Sequence, residues 1–183
     1  MSAADKLDDI DRHLLALLQE DASRPVSELA ALVGLSTTPC WKRIHNLKEE
    51  GVIRKEVVLC DPDKLDLGTT VFVEISTNQH NDAWLKKFAQ AVRDIPEIVD
   101  VYRMSGDVDY LLRVVVKDIQ GYDAVYRRLI HSCELHDVSS SFAMERIKSS
   151  TALPVGLPPP ADLRADAPAN PRTPAKRTRT AAG

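Results

Sequence analysis

At 183 residues and a formal net charge of −3, the chain is long enough for one large or two small domains, each with a real core. No apolar run reaches bilayer length, and the acidic start MSAADKLDDIDRH does not read as a secretory leader. Three widely spaced cysteines, Cys40, Cys60 and Cys133, point to a reducing cytoplasm rather than a disulfide framework.

The first apolar series, Leu7, Ile10, Leu14, Leu17 and Leu18, keeps helical spacing over residues 7–20. Asp5, Asp8, Asp9 and Asp11 crowd its start, where the helix dipole favours negative charge. Ser23-Arg24-Pro25 breaks the chain. Residues 27–51, SELAALVGLSTTPCWKRIHNLKEEG, read as two short helices about a tight turn at Gly34-Leu35-Ser36. Ser27 and Ser36 are the expected caps, and Pro39 is tolerated in the first turn of the second helix. Leu29, Leu32 and Val33 are assigned to the same small core as the first helix. In the second helix Cys40, Ile44 and Leu47 make one apolar stripe, with Cys40 as a small core residue. Thr38, Lys42, His45 and Asn46 lie opposite, with Trp41, Arg43 and Lys48 on the flanks. An apolar back with a basic, hydrogen-bonding front suits the DNA major groove. Gly51 supplies a left-handed helix end. Residues 52–59 are β-rich and are expected to form a wing or linker strand, closed by Asp61-Pro62.

The second half alternates differently. Residues 71–76 read as a strand, Trp84, Phe88, Ala91, Val92 and Ile95 as a helix, and 98–102 as a strand. A turn at Gly106-Asp107 precedes a central strand over 110–116. Tyr122, Val125, Tyr126, Leu129 and Ile130 mark a second helix, and Val138, Ser140, Phe142 and Met144 share one face of a last strand. The order is β-α-β-β-α-β. The fold class is therefore α+β: a winged-helix-like helix-turn-helix domain with linker strand (1–60), then a ferredoxin-like βαββαβ domain (61–153). Its sheet has one face under the helices and one open, which a second subunit would bury. Residues 154–183 hold seven of the eleven prolines and read as a disordered basic tail. They carry a net +3 and the remaining residues −6, while residues 36–48 hold Lys42, Arg43 and Lys48 with no acid. A local basic face on an acidic body fits a selective DNA binder.

Several segments together resemble the Lrp/AsnC family of bacterial and archaeal transcription regulators: LDDIDRHLLALLQEDASRP, ELAALVGLSTTPCWKRIHNLKEEGVI, LCDPDKLDLG, IPEIVDVYRMSGDVDYLLRVVVKD and SSSFAMERIKSSTALP. TTPCWKR with SSFAMERIK is most similar to a cysteine-responsive proteobacterial branch. The resemblance implies an N-terminal helix-turn-helix, a C-terminal amino-acid-sensing βαββαβ domain, and dimers that assemble further, commonly to octamers. Two features depart from it. His136-Asp137 stands where the family has Pro-Gly, and the chain after Leu153 has no counterpart in compact members.

On the recognition helix Thr38, Lys42, His45 and Asn46 are expected to meet base edges, with Arg43, Lys48 and Trp41 nearer phosphate or sugar. The plainer alternative is a solvated charged face. The turn Gly106-Asp107-Val108-Asp109-Tyr110 is the effector candidate, offering carboxylates to an ammonium group and backbone N–H groups to a carboxylate. An ordinary β-turn is its alternative. The resemblance also puts effectors near this turn, between subunits of neighbouring dimers. His131, Cys133 and His136 lack a fourth ligand, so no metal site is assigned. No phosphate loop, HExxH or GxSxG occurs, so no catalytic residue or cofactor is assigned. The resulting expectation is a sequence-specific regulator answering to an amino acid of the cysteine or leucine type. It would act on double-stranded DNA as a homodimer assembling to tetramer or octamer, cytoplasmic and nucleoid-associated, with no membrane partner. A nucleoid architectural protein with little effector control, or a ferredoxin-like metabolic enzyme, are the rival readings.

Overall fold

The computed structural model describes residues 7–79 and 81–156 of the chain. The proposed tail from 157 onward lies outside them, as do residues 1–6. The chain divides into two compact units. One runs to Val57 and takes in the chain again from Ser150, and the other spans Val58–Ser149.

The first unit has three helices: α1 (Asp9–Glu20), α2 (Val26–Leu32) and α3 (Thr37–Glu49). Asp8 caps α1, accepting from the Asp11 N–H at 2.8 Å, and Asp11 answers toward the Asp8 N–H at 3.4 Å, a reciprocal capping box. The expected cap at Ser27 is not used, because α2 already starts at Val26, with Pro25 as its N-cap, two residues before a helix capped by Ser27 would begin. Ser36 does occupy the N-cap of α3, but its hydroxyl makes no capping bond. Leu14, Leu17, Leu29, Ala30, Cys40 and Ile44 form the core, with Val33 packed against it. Leu32 instead is about half exposed (48%), since α2 turns the arc of Val26, Leu29, Ala30 and Val33 inward. At the end of α3, Gly51 takes φ +72°, and the Ile53 N–H returns to the Leu47 carbonyl at 2.9 Å.

The expected wing is absent. Residues 54–61 form no strand, and Val57, Val58 and Leu59 are exposed. A strand needs a neighbour for its N–H and C=O groups, and this segment pairs with no strand among the described residues. By its contacts the chain from Ser150 groups with the first unit, where Leu153 bonds to Gln19 of α1.

The second unit is β1 (Thr69–Ser76), α4 (Asp82–Arg93), β2 (Ile98–Arg103), β3 (Tyr110–Val116), α5 (Ile119–Ser132) and β4 (Asp137–Phe142). The strands form one antiparallel sheet in the order β2-β3-β1-β4, the ferredoxin-like topology. Asn81 and Asp118 cap α4 and α5 through their side chains. Strict alternation in β1 and β3 sends Val71, Val73, Ile75, Leu112, Val114 and Val116 into the core with Trp84, Phe88 and Leu129. Phe72, Glu74, Leu111, Arg113 and Val115 take the opposite face, where Arg113 pairs with Asp100 across β2 at 2.6 Å. No helix among the described residues is long and apolar enough to cross a membrane.

Candidate nucleic-acid interface and ligand site

The recognition surface follows from how α3 is pinned. Cys40, Ile44 and Leu47 are buried, and burial raises the Cys40 thiol above its ordinary pKa. A helix held by that stripe must present Thr38, Lys42, His45 and Asn46 outward, and all four are exposed. Trp41, about half exposed (52%), stacks face to face on His45 at 5.0 Å. One turn separates the two rings, so the stack is intrahelical and holds the imidazole against the indole face.

The two flanking cations are less free. Arg43 lies on the side of α3 that faces α1, and its guanidinium reaches Asp8 at 2.7 Å and Asp11 at 2.8 Å. The carboxylates that cap α1 thus also hold α3. The Asp11 N–H, and then Arg43, lower the Asp8 pKa, while hydrogen bonds to Asp11 and Asp8 raise that of Arg43. Lys48 pairs with Glu56 at 2.7 Å. Lys42 alone of the three makes no ion pair among the described residues. Beside it lies an open cleft of about 380 Å³, bounded by Leu7, Asp11 and Pro39 and by Arg43, Asn46 and Glu50. The sequence contained the signal for the Arg43 clamp in its acid-rich helix start, but that cluster also satisfies the dipole without any partner.

In the second unit the turn between β2 and β3 is closed by Met104 N–H to Asp109 C=O at 2.8 Å, with Gly106 at φ +121°. Its residues have different fates. Asp107 is exposed, and its carbonyl accepts from the Ser76 hydroxyl at 3.2 Å. Asp109 is half-buried, and its carboxylate accepts from the Thr77 N–H at 2.8 Å, while its own N–H goes to the Ile75 carbonyl. Tyr110 is buried, its ring packed on Phe88 (4.6 Å) and Trp84 (5.8 Å).

Thr77 also lines a cleft of about 270 Å³ that no sequence motif marked. Asn78, Gln79, Glu134, Leu135 and His136 complete it. It is polar because Asn78 Nδ2 meets His136 Nδ1 at 3.0 Å and Gln79 donates to Glu134 at 2.8 Å. The Trp84 indole N–H fixes the Glu134 carbonyl at 2.7 Å, tying this edge to the aromatic core. The cleft is assembled from the chain just after β1 and just before β4, and its two hydrogen bonds join residues 55 and 58 positions apart. His131, Cys133 and His136 do not converge: His131 bonds to the Arg127 carbonyl, Cys133 is buried, and His136 faces Asn78.

A three-helix unit that buries one stripe of its third helix and exposes the other, joined to a ferredoxin-like ligand domain, defines a DNA-binding transcription regulator. The chain belongs to the Lrp/AsnC family: residues 7–48 match the AsnC-type helix-turn-helix domain and residues 70–153 the Lrp/AsnC ligand binding domain. It is 49% identical over 150 residues to the DNA-binding transcriptional activator DecR of Escherichia coli K12, covering 81% of this chain and 99% of that one. Among solved structures, an AsnC family transcriptional regulator from Agrobacterium tumefaciens superimposes with a TM-score of 0.79 at 56% identity, over 81% of this chain and 97% of that one. A Neisseria meningitidis transcriptional regulator, solved as its L-Met complex, gives 0.78 at 31% identity, over 82% and 97%. These relatives are regulators, not enzymes.

Proposed function

We propose that α3 reads base edges through Thr38, Lys42, His45 and Asn46, and that an amino acid bound beside the Gly106–Tyr110 turn controls how the subunits engage DNA. The observation that carries the first part is the division of α3 into a buried stripe of Cys40, Ile44 and Leu47 and an exposed front whose lysine makes no ion pair among the described residues. Lys42 suits guanine O6 and N7, and Asn46 suits adenine. Trp41 orients His45, and Arg43 acts as a strut between α1 and α3 more than as a phosphate contact.

For the effector, Asp107 supplies an exposed carboxylate, and the neighbouring cleft at Thr77 and His136 supplies a polar floor. The similarity to a regulator solved with L-Met supports an amino acid, with cysteine as the first candidate on the likeness to DecR. The open sheet face, with Phe72, Leu111 and Val115 around the Asp100–Arg113 pair, fits a second copy of the chain, making a homodimer that assembles to tetramer or octamer. The site of action is the nucleoid in the cytoplasm.

A thermal-shift screen of the twenty amino acids, followed by light scattering and gel shifts with those that stabilise, tests the whole reading. One or a few amino acids should raise the melting temperature and change assembly or DNA affinity together. A response to branched-chain residues alone would exclude cysteine, and no response to any amino acid would exclude effector control. Long phased protection in footprints, insensitive to every amino acid, would favour an architectural role instead.

A further inference from the structure

The chain has two tryptophans, and the fold uses only one of them. Trp84 is 6% exposed, stacks on Phe88 at 5.1 Å and spends its indole N–H on the Glu134 carbonyl at 2.7 Å. Trp41 stands in the second turn of α3 at 52% exposure, and the core of its unit, built on Leu14, Leu17, Leu29 and Ile44, closes without it. Folding does not account for so large an apolar ring at this position.

The front of α3 is itself divided. Lys42 and Asn46 border the cleft shared with Asp11, Arg43 and Glu50. Trp41 and His45 are the exposed residues of the other flank, with Thr37 and Thr38 exposed one turn before Trp41. This flank offers rings and methyl groups. The cation further along it, Lys48, is paired with Glu56 at 2.7 Å, so a phosphate would find no free charge there among the described residues. The His45 imidazole lies parallel to the indole within 6° at 5.0 Å. That stack holds the ring in one orientation while about half of the residue stays accessible. In a helix-turn-helix the N-terminal part of the recognition helix meets the base edges, and Trp41 belongs to that part. The apolar group that the major groove presents is the thymine C5 methyl.

We propose that Trp41 is a specificity-determining residue, packing its indole against a thymine C5 methyl in the major groove beside the bases read by Lys42 and Asn46. The two flanks of α3 then read different chemistry. Lys42 and Asn46 take purine hydrogen-bonding edges, and Trp41 takes the methyl that distinguishes thymine from cytosine. Contact removes the ring and the methyl from water together, and no other base supplies that group. The inference rests on base reading by α3 and deepens it by giving Trp41 a base of its own.

The test uses the full chain and a duplex that the wild type selects from a random pool. Each thymine is replaced in turn by deoxyuridine, which removes one methyl and keeps every hydrogen-bonding group, and binding is followed by anisotropy. At one thymine of the half-site the exchange should cost the wild type about fourfold, the worth of one buried methyl group. Trp41→Ala should bind the thymine and uracil duplexes equally, with an unchanged melting temperature. Trp41→Gln, a polar helix former, should do the same and serves as the second variant should alanine disturb the fold. Trp41→Phe keeps a ring and should retain part of the thymine preference. Wild type indifferent to every exchange would overturn the proposal. So would a methyl effect that persists in Trp41→Ala and Trp41→Gln, which would pass the methyl to another side chain. Equal losses by these variants on selected and random DNA would overturn it too, and leave Trp41 on sugar or phosphate. Wild type that selects no sequence at all would instead overturn base reading by α3 as a whole.

Discussion

In the helix-turn-helix unit six core residues hold three helices, and the polar groups that matter stand free on the outside of α3. In the βαββαβ unit fifteen core residues hold a sheet and two helices, and the polar groups of the candidate site are tied into the backbone. The smaller core needs outside help, which it receives from the Arg43 clamp and the Gln19–Leu153 grip. The larger core leaves its loops to be arranged by hydrogen bonds from Thr77, Ser76 and Trp84. A DNA-reading helix must offer side chains to a partner whose shape is given. A ligand turn must hold still around something small, so its carboxylates divide between structure and binding.

Removing the ring of Phe88 should show whether the two cores stand separately. Phe88→Ala should cost about 3–5 kcal/mol and remove the near-UV signal of the Trp84 cluster. Leu14→Ala should cost about 2–5 kcal/mol and abolish DNA binding while that near-UV signal persists. Loss of both signals by either change would break the division.

At the surface of α3 the expected effects are on selectivity. Lys42→Ala and Asn46→Ala should each lose about 1–3 kcal/mol of discrimination between selected and random DNA, with unchanged melting temperature. Equal losses on both DNAs would remove base reading from these residues.

The ligand turn should respond in two distinct ways. Asp109→Ala leaves the Thr77 N–H without its acceptor in a buried residue, so it should lower stability by about 1–3 kcal/mol. Asp107→Ala should leave the melting temperature alone and weaken the effector response in a gel-shift titration. If Asp109→Ala leaves both stability and effector response intact, the turn is not the site.

The smallest effect belongs to the clamp. Arg43→Ala should cost about 0.5–1 kcal/mol, the range for a partly exposed ion pair, and lower DNA affinity by a similar factor on all sequences. Its acid sensitivity has a definite sign. The Asp8 carboxyl is depressed on folding, so its contribution is complete above about pH 4 and is lost as pH falls through the folded value. Arg43→Ala should reduce that loss in an acid titration followed by circular dichroism.

The sequence alone determined what periodicity and local chemistry can determine. The stripe of Cys40, Ile44 and Leu47 forces Thr38, Lys42, His45 and Asn46 outward whatever α3 packs against. Alternation in β1 and β3 and the order of elements likewise specified the ferredoxin-like sheet. The failures have local causes. Residue type favours Ser27 as a cap, but Pro25 presets the backbone that starts α2 two residues earlier. Residues 52–59 have strand propensity, but a strand is a relation between two segments, and the second is not in the described chain. Only the tertiary structure decided what Arg43, Asp109 and Leu153 do. Their partners lie 32 or more residues away, at Asp11 and Asp8, Thr77 and Gln19. Charge and spacing say that such residues can bond, and only the packed chain says to what.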